Sequence, residues 1–286
     1  MVNESVDFLL PPEMALQAET VGVNKARMSA VRTLVLAMLA GAFIALGSVF
    51  FTTVTAGSTL PPGITRLVGG VAFSLGLILV IIGGAELFTG NNLIIMAWAN
   101  KKVSTLAVLR NWLLVFTGNM VGALGVAVLL FFSRQYLFAQ GAVGQNILNI
   151  ARAKCQLQFG QAVALGILCN VLVCLAVWLC FSVRSSTGKV LCILFPITAF
   201  VTCGFEHSIA NMYFIPVAIA VKDCGDPTLF TLINATPQDY SMVTWSNFLL
   251  VNLLPVTIGN IIGGAGLVGM VYWFVYLRKT VEQKTP

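Results

Sequence analysis

Gly83-Gly84-Ala85-Glu86-Leu87-Phe88-Thr89-Gly90-Asn91 interrupts an apolar run over residues 64–99, and Gly204-Phe205-Glu206-His207-Ser208-Ile209-Ala210-Asn211 interrupts another over 190–221. A single upright crossing of a bilayer needs about 20 apolar residues, so each run is too long for one continuous helix. Glycine beside an ionisable residue marks each as a broken helix. Aligned on the breaks, Gly84, Glu86 and Asn91 match Gly204, Glu206 and Asn211 as G-x-E-x4-N. A second echo follows in the same order: Gly118-Asn119-Met-Val-Gly122 and Gly259-Asn260-Ile-Ile-Gly263 share G-N-x-x-G inside apolar helix. Self-similarity at two places in one order indicates an internal repeat.

The rest of the chain agrees with a membrane assignment. Its 286 residues are 58% hydrophobic and 9% charged, with a mean hydropathy of +0.93, against roughly 25% charge in soluble domains. Apolar runs without period-two alternation call for helices rather than a barrel, because unpaired backbone groups in lipid cost several kcal/mol each. Charges, prolines and glycines place six spans at 33–54, 64–99, 106–132, 159–183, 190–221 and 246–277. Residues 1–32 form an N-terminal segment, 33–277 the membrane domain and 278–286 a tail. Three spans per repeat is an odd number, so the halves run in opposite senses. Paired discontinuous helices in inverted repeats point to a solute site near the midplane.

Of the 16 Lys and Arg residues, eleven (Lys25, Arg27, Arg32, Lys101, Lys102, Arg110, Arg184, Lys189, Arg278, Lys279, Lys284) fall on the side of the termini. Five (Arg66, Arg134, Arg152, Lys154, Lys222) fall on the other. The positive-inside rule then puts both termini in the cytoplasm. The formal charge of +6 is accounted for by orientation, and no nucleic-acid partner is expected. The acidic N-terminus, with two prolines at 11 and 12, does not read as a cleaved signal. Seven cysteines without a C-x-x-C pair read as packing residues, and no metal or cofactor is expected. The absence of H-E-x-x-H and G-x-S-x-G argues against an intramembrane enzyme.

Eight of the ten acidic residues lie in tails or loops, leaving Glu86 and Glu206 at the breaks, with His207, the only histidine, beside one of them. A carboxylate at bilayer depth must find donors. Both glutamates are expected to clamp loop backbone, with direct solute contact as the alternative. Thr89 and Ser208 precede the second helical legs, where a hydroxyl can cap free N–H groups and two helix N-termini favour an anion. His207 is read as functional. Lys154, expected in an outer loop with Arg152, reads equally as a solvated cation or an anion-attracting mouth.

The chain resembles the formate/nitrite transporter family, and within it the bacterial formate channels. The residues carrying the likeness are 83–91, Asn170-Val-Leu-Val-Cys-Leu-Ala-Val-Trp178, 204–212 and Leu254-Pro-Val-Thr-Ile-Gly-Asn-Ile-Ile-Gly-Gly264, together with Phe8-Leu-Leu-Pro-Pro12 and the closing aromatic run 272–277. The resemblance implies an all-α, aquaporin-like six-helix bundle of two inverted three-helix repeats, a homopentamer with one pathway per protomer, and formate or another small monovalent anion as substrate. Nitrite, hydrosulfide or lactate, or a neutral-solute pore, are the alternatives. It also implies roles for residues that type alone would assign to packing. Leu87, Phe88 and Thr89 form the loop of the second segment, where Phe88 is a further constriction residue; Leu87 with Val173 narrows the cytoplasmic side, and Phe73, Leu77 and Phe200 the periplasmic side. Thr89 and His207 face the chamber between, with Asn170 on the cytoplasmic approach, Glu86, Asn91, Glu206 and Asn211 as supports, and Lys154 in a basic vestibule. Passage is expected to be channel-like or coupled to a proton, residues 1–32 to offer a surface for a cytoplasmic partner, and the location to be a bacterial inner membrane. Gly90-Asn91 departs from the Ser or Thr that follows the loop threonine in many formate channels. Cys155-Gln-Leu after Lys154 departs from their Lys-x-His-His pattern, so no histidine relay is expected at that mouth.

Overall fold

The computed structural model describes residues 8–278, and positions 1–7 and 279–286 of the expected N-terminal segment and tail lie outside it. The elements are helices: α1 Pro11–Arg27, α2 Ala30–Thr55, α3 Pro62–Gly83, α4 Phe88–Asn91, α5 Ile95–Ala99, α6 Thr105–Ser133, α7 Ala142–Cys155, α8 Phe159–Ser182, α9 Ser186–Thr202, α10 Ser208–Cys224, α11 Thr228–Leu232 and a last helix, α12, Asn247–Leu277. Among the described residues, α2, α3, α6, α8 and α12 are each long and apolar enough to span a bilayer. The remaining crossing is divided between α9 and α10, as the second is between α3 and the short leg of α4, α5 and the 3-10 turn Asn92–Ile94. The six expected spans and both breaks are where the sequence puts them. This is an integral membrane protein with the aquaporin-like arrangement.

Packing repeats between the halves. Helix α2 lies against α3 and α6, α8 lies against α9 and α12, and α3 meets α9 across the pseudo-two-fold. The G-N-x-x-G glycines make the α2–α6 and α8–α12 contacts possible. A Cβ on Gly118 would stand 2.5 Å from Ala37 Cβ, and one on Gly259 would run into the Val163 carbonyl oxygen and stand 3.0 Å from Gly166 Cα. Small residues four apart allow the backbones this approach, which suits helices that gain no hydrophobic driving force from one another in lipid.

Two helices lie where the sequence suggests none. Helix α1 starts at two prolines, with Glu13 accepting the Leu10 N–H at 2.9 Å. It packs Met14, Ala15 and Ala18 against Leu93, Met96 and Trp178. Its buried Glu19 pairs with Lys102 and accepts from Asn100 Nδ2 at 2.5 Å, which fastens the helix to the α5–α6 turn. Ahead of it, Leu9 N donates to Ser182 O at 2.8 Å. Helix α7 replaces the expected outer loop around Lys154 and buries Val143, Ile147, Leu148, Ala151 and Cys155 on one face. Helix α12 is continuous but widened into π-helical turns over Asn247–Leu253, Ile262–Met270 and Trp273–Leu277.

Leucine at Gly118 or Gly259 should push α2 from α6 or α8 from α12 and cost about 3 kcal/mol by overpacking. The melting temperature of the purified protein in detergent should fall clearly in each. An unchanged value would mean that these helices are not held at glycine distance.

Candidate functional site

Each break is built the same way. Helix α3 ends with Gly84 in the left-handed region (φ 77°), and α9 with Gly204 (φ 71°), conformations that glycine adopts without cost. The chain then runs extended through Glu86 and Glu206, whose N–H groups donate to Leu36 O at 3.2 Å and Leu165 O at 3.3 Å. One asparagine then clamps each loop. Asn119 Oδ1 accepts from Phe88 N at 2.9 Å, while its Nδ2 donates to Ala37 O at 2.8 Å and Glu86 O at 2.9 Å. In the other half, Asn260 Oδ1 accepts from Ser208 N at 2.9 Å, and its Nδ2 donates to Gly166 O at 2.8 Å and Glu206 O at 3.0 Å. Each side chain thus fills all but one of its hydrogen-bonding positions at a place where backbone left unpaired would be costly.

The clamps on loop backbone are therefore the asparagines of G-N-x-x-G, and the expectation that the two glutamates do this is corrected. Glu86 accepts from Lys25 Nζ at 2.6 Å and Asn91 Nδ2 at 2.7 Å. Glu206 accepts from Lys154 Nζ at 2.8 Å, Asn211 Nδ2 at 2.7 Å and Asn252 Nδ2 at 3.1 Å. A further asparagine closes each cluster. Asn111 accepts from Asn91 Nδ2 at 3.0 Å and donates to Lys25 O at 3.2 Å, while Asn252 accepts from Asn211 Nδ2 at 2.7 Å and donates to Lys154 O at 3.2 Å. Lys154 is accordingly a helical residue, 15% exposed at its side chain and ion-paired. It is neither in a loop nor a solvated cation.

A cavity of about 760 Å³ opens beside α1, lined by Lys25, Leu77, Glu86, Leu87, Arg184 and Lys189 among others. One of about 430 Å³ opens beside α7, lined by Phe73, Lys154, Phe200, Glu206, His207 and Phe214 among others. Leu77 therefore shares the Leu87 side and not that of Phe73 and Phe200, which meet edge to face at 5.6 Å. Phe88 lines neither cavity and packs instead against Phe116 and Trp112, at 5.1 and 6.1 Å between centroids. Val173 is buried in the central core cluster. Asn170, expected along the approach, is wholly buried and donates to Asn260 O at 2.7 Å and to Thr89 O and Asn92 Oδ1 at 3.3 Å each.

Between the cavities the structure brings Thr89 and His207 together. Thr89 Oγ1 lies 2.9 Å from His207 Nε2, and both residues are buried. Neither hydroxyl caps a leg as expected. Thr89 sits inside α4, and Ser208 Oγ has no partner among the described residues. The imidazole is the cap: His207 Nδ1 accepts from Ala210 N at 3.2 Å. A ring nitrogen that accepts carries no proton, so the neutral ring has its hydrogen on Nε2 and donates it to Thr89 Oγ1. The threonine hydroxyl keeps its own hydrogen for a third group.

Lys25, Asn111, Asn119, Asn252 and Asn260 complete the site and were not picked out as site residues from sequence. The signal for four of them is N-x7-N ending in the G-N-x-x-G asparagine, at 111–119 in the first half and 252–260 in the second.

The family profile described as formate/nitrite transporter matches residues 12–274. The formate channel FocA of Escherichia coli strain K12 is 47% identical over 274 residues, covering 96% of both chains. The formate channel FocA of Haemophilus influenzae is 41% identical over 95% of both. A solved pentameric formate channel with formate bound aligns with a TM-score of 0.83 at 44% identity, covering 87% of this chain and 98% of its own.

Removing the Lys25 ammonium strands the Glu86 carboxylate. Lys25→Met should cost about 2–3 kcal/mol, below the usual range for a broken buried pair because 24% of the lysine side chain is solvent-accessible. The double variant Lys25→Met/Glu86→Gln should recover part of the lost melting temperature. Additive losses would contradict the pairing.

Proposed function

Because the chain belongs to the formate/nitrite transporter family, we propose that it passes formate across a bacterial inner membrane, as a homopentamer with one pathway in each protomer and both termini in the cytoplasm. The observation that carries the reading is the buried His207–Thr89 pair, set between two cavities that each hold a lysine–glutamate pair. On this orientation the α1 cavity is the cytoplasmic vestibule and the α7 cavity the periplasmic one. Leu77 and Leu87 close the first, Phe73 and Phe200 the second. Residues 1–32 are offered to a cytoplasmic partner.

The apolar closures decide the form in which the solute crosses. A bare carboxylate in low dielectric costs up to tens of kcal/mol. Forming the neutral acid at pH 7 costs about 4 kcal/mol for a carboxyl group titrating near 3.9. A proton therefore travels with the anion. His207 is held as the Nε2–H tautomer by its cap, and a second proton on Nδ1 would face the Ala210 N–H donor. The histidine thus serves as a hydrogen-bond donor to Thr89 Oγ1, which it orients for the solute. The accompanying proton comes from the vestibule, and Thr89 offers its free hydroxyl hydrogen.

Formate uptake by the full-length protein in liposomes should rise with an inward proton gradient and exceed that of chloride. His207→Phe, which loses both cap and donor, should lower the flux at least ten-fold, while His207→Asn, which keeps a capping oxygen and a donor, should lower it less. Equal flux of all anions without proton dependence would refute the reading.

A further inference from the structure

The two lysine clusters share their frame of bonds, with Asn252 Nδ2 adding one to Glu206 Oε2, and they part at the lysine ammonium. In the α1 cluster, Lys25 Nζ donates to Glu86 Oε1 at 2.6 Å and also to Asn91 Oδ1 at 2.9 Å. In the α7 cluster, Lys154 Nζ donates to Glu206 Oε1, and its ammonium stands 5.5 Å from the centroid of the Phe214 ring. Asn211 Oδ1, the counterpart of Asn91 Oδ1, has no partner among the described residues. Asn211 is 0% exposed and lines the 430 Å³ cavity with Lys154. Its amide cannot be turned over to relieve this, because Nδ2 already donates to two acceptors, Glu206 Oε2 and Asn252 Oδ1. The residue that corresponds to Phe214 in the first half is Ile94, which has no π face to hold an ammonium.

A buried carbonyl oxygen facing a cavity without a donor is a site that asks for one. The lysine beside it has N–H groups to spare, since an ammonium carries three donors. We propose that Asn211 Oδ1 and the Lys154 ammonium form a subsite in the α7 cavity for a small ligand that presents a donor and an acceptor side by side, the neutral form of a carboxylic acid. The acid O–H donates to Asn211 Oδ1, and its carbonyl oxygen accepts from Lys154 Nζ. The Glu206 carboxylate between them disfavours the anion and leaves the neutral acid unopposed. The choice of a carboxylic acid rests on the proposed function. The first half has no such subsite, because Lys25 already fills the equivalent oxygen.

Formamide and methyl formate separate the possibilities. Both are neutral and carry a formyl oxygen, but formamide has an N–H donor and methyl formate has none. With the full-length protein in liposomes, formamide should inhibit labelled formate uptake at a concentration at least ten-fold lower than methyl formate. In Phe214→Ile, which copies the first half, the ammonium is free to settle on Asn211 Oδ1, and the advantage of formamide should shrink about ten-fold. Equal inhibition by the two probes in the unaltered protein overturns the subsite, and that comparison needs no folded variant. So does a Phe214→Ile protein that folds and keeps the full preference. Absence of formate uptake would refute the transport reading instead. Saturation-transfer NMR of formamide and methyl formate on the detergent-solubilised protein then reads the subsite independently, with the same preference expected and equal binding overturning it.

Discussion

Two stretches of non-helical backbone in the middle of a membrane domain are tolerable only if every polar group on them is paired, and Asn119 and Asn260 meet that requirement. Each is wholly buried, and each ties one loop to two neighbouring helices through three hydrogen bonds. The close approach of α2 to α6 and of α8 to α12 follows from this, since the amides reach the Ala37 and Gly166 carbonyls only at the separation that the glycines permit. With the backbone held by neutral amides, the charged groups are free for another task. Glu86 and Glu206 hold lysines at the floors of the two cavities.

The halves diverge where function would need them to. The cap position of the first short leg is Leu87, and that of the second is His207. A shared framework with one apolar and one polar cap gives a slit on one side and a donor on the other. Across the interface, Asn170 links the carbonyls of Thr89 and Asn260, so the loop that carries the hydroxyl and the helix that clamps the histidine loop share one side chain.

Much of this could be read from the sequence because the spans are long, apolar and sharply interrupted, and because a repeat doubles every signal. The roles of Lys25 and Lys154 could not. Glu86 and Lys25 are 61 positions apart, and Glu206 and Lys154 are 52 apart. Nothing local marks either lysine as a partner rather than as part of the orientation bias. The helix beneath Lys154 left a trace, the apolar positions 143, 147, 148, 151 and 155, but its charged end resembles a loop. Helix α1 had start and stop residues of its own in Pro11, Glu13, Lys25 and Arg27, which a low overall apolarity masked. The sequence also could not distinguish a hydroxyl cap from an imidazole cap, since His207 and Ser208 are adjacent and only the direction of the ring decides between them.

The asparagine clamp and the lysine cluster of each break draw their hydrogen bonds from its own half. Those of the first loop and cluster use Lys25, Leu36, Ala37, Glu86, Phe88, Asn91, Asn111 and Asn119, and those of the second use Lys154, Leu165, Gly166, Glu206, Ser208, Asn211, Asn252 and Asn260. As the chain leaves the ribosome, the first three spans can therefore satisfy their interrupted backbone before the fourth is synthesised. Folding units that complete in order of synthesis are the general rule for chains of this size. At the breaks themselves the halves are joined by the bonds of Thr89 to His207, of Asn170 to Asn92 and Thr89, and of Cys174 to Thr89. Docking of the two halves then creates the pathway, because the Thr89–His207 pair takes one residue from each.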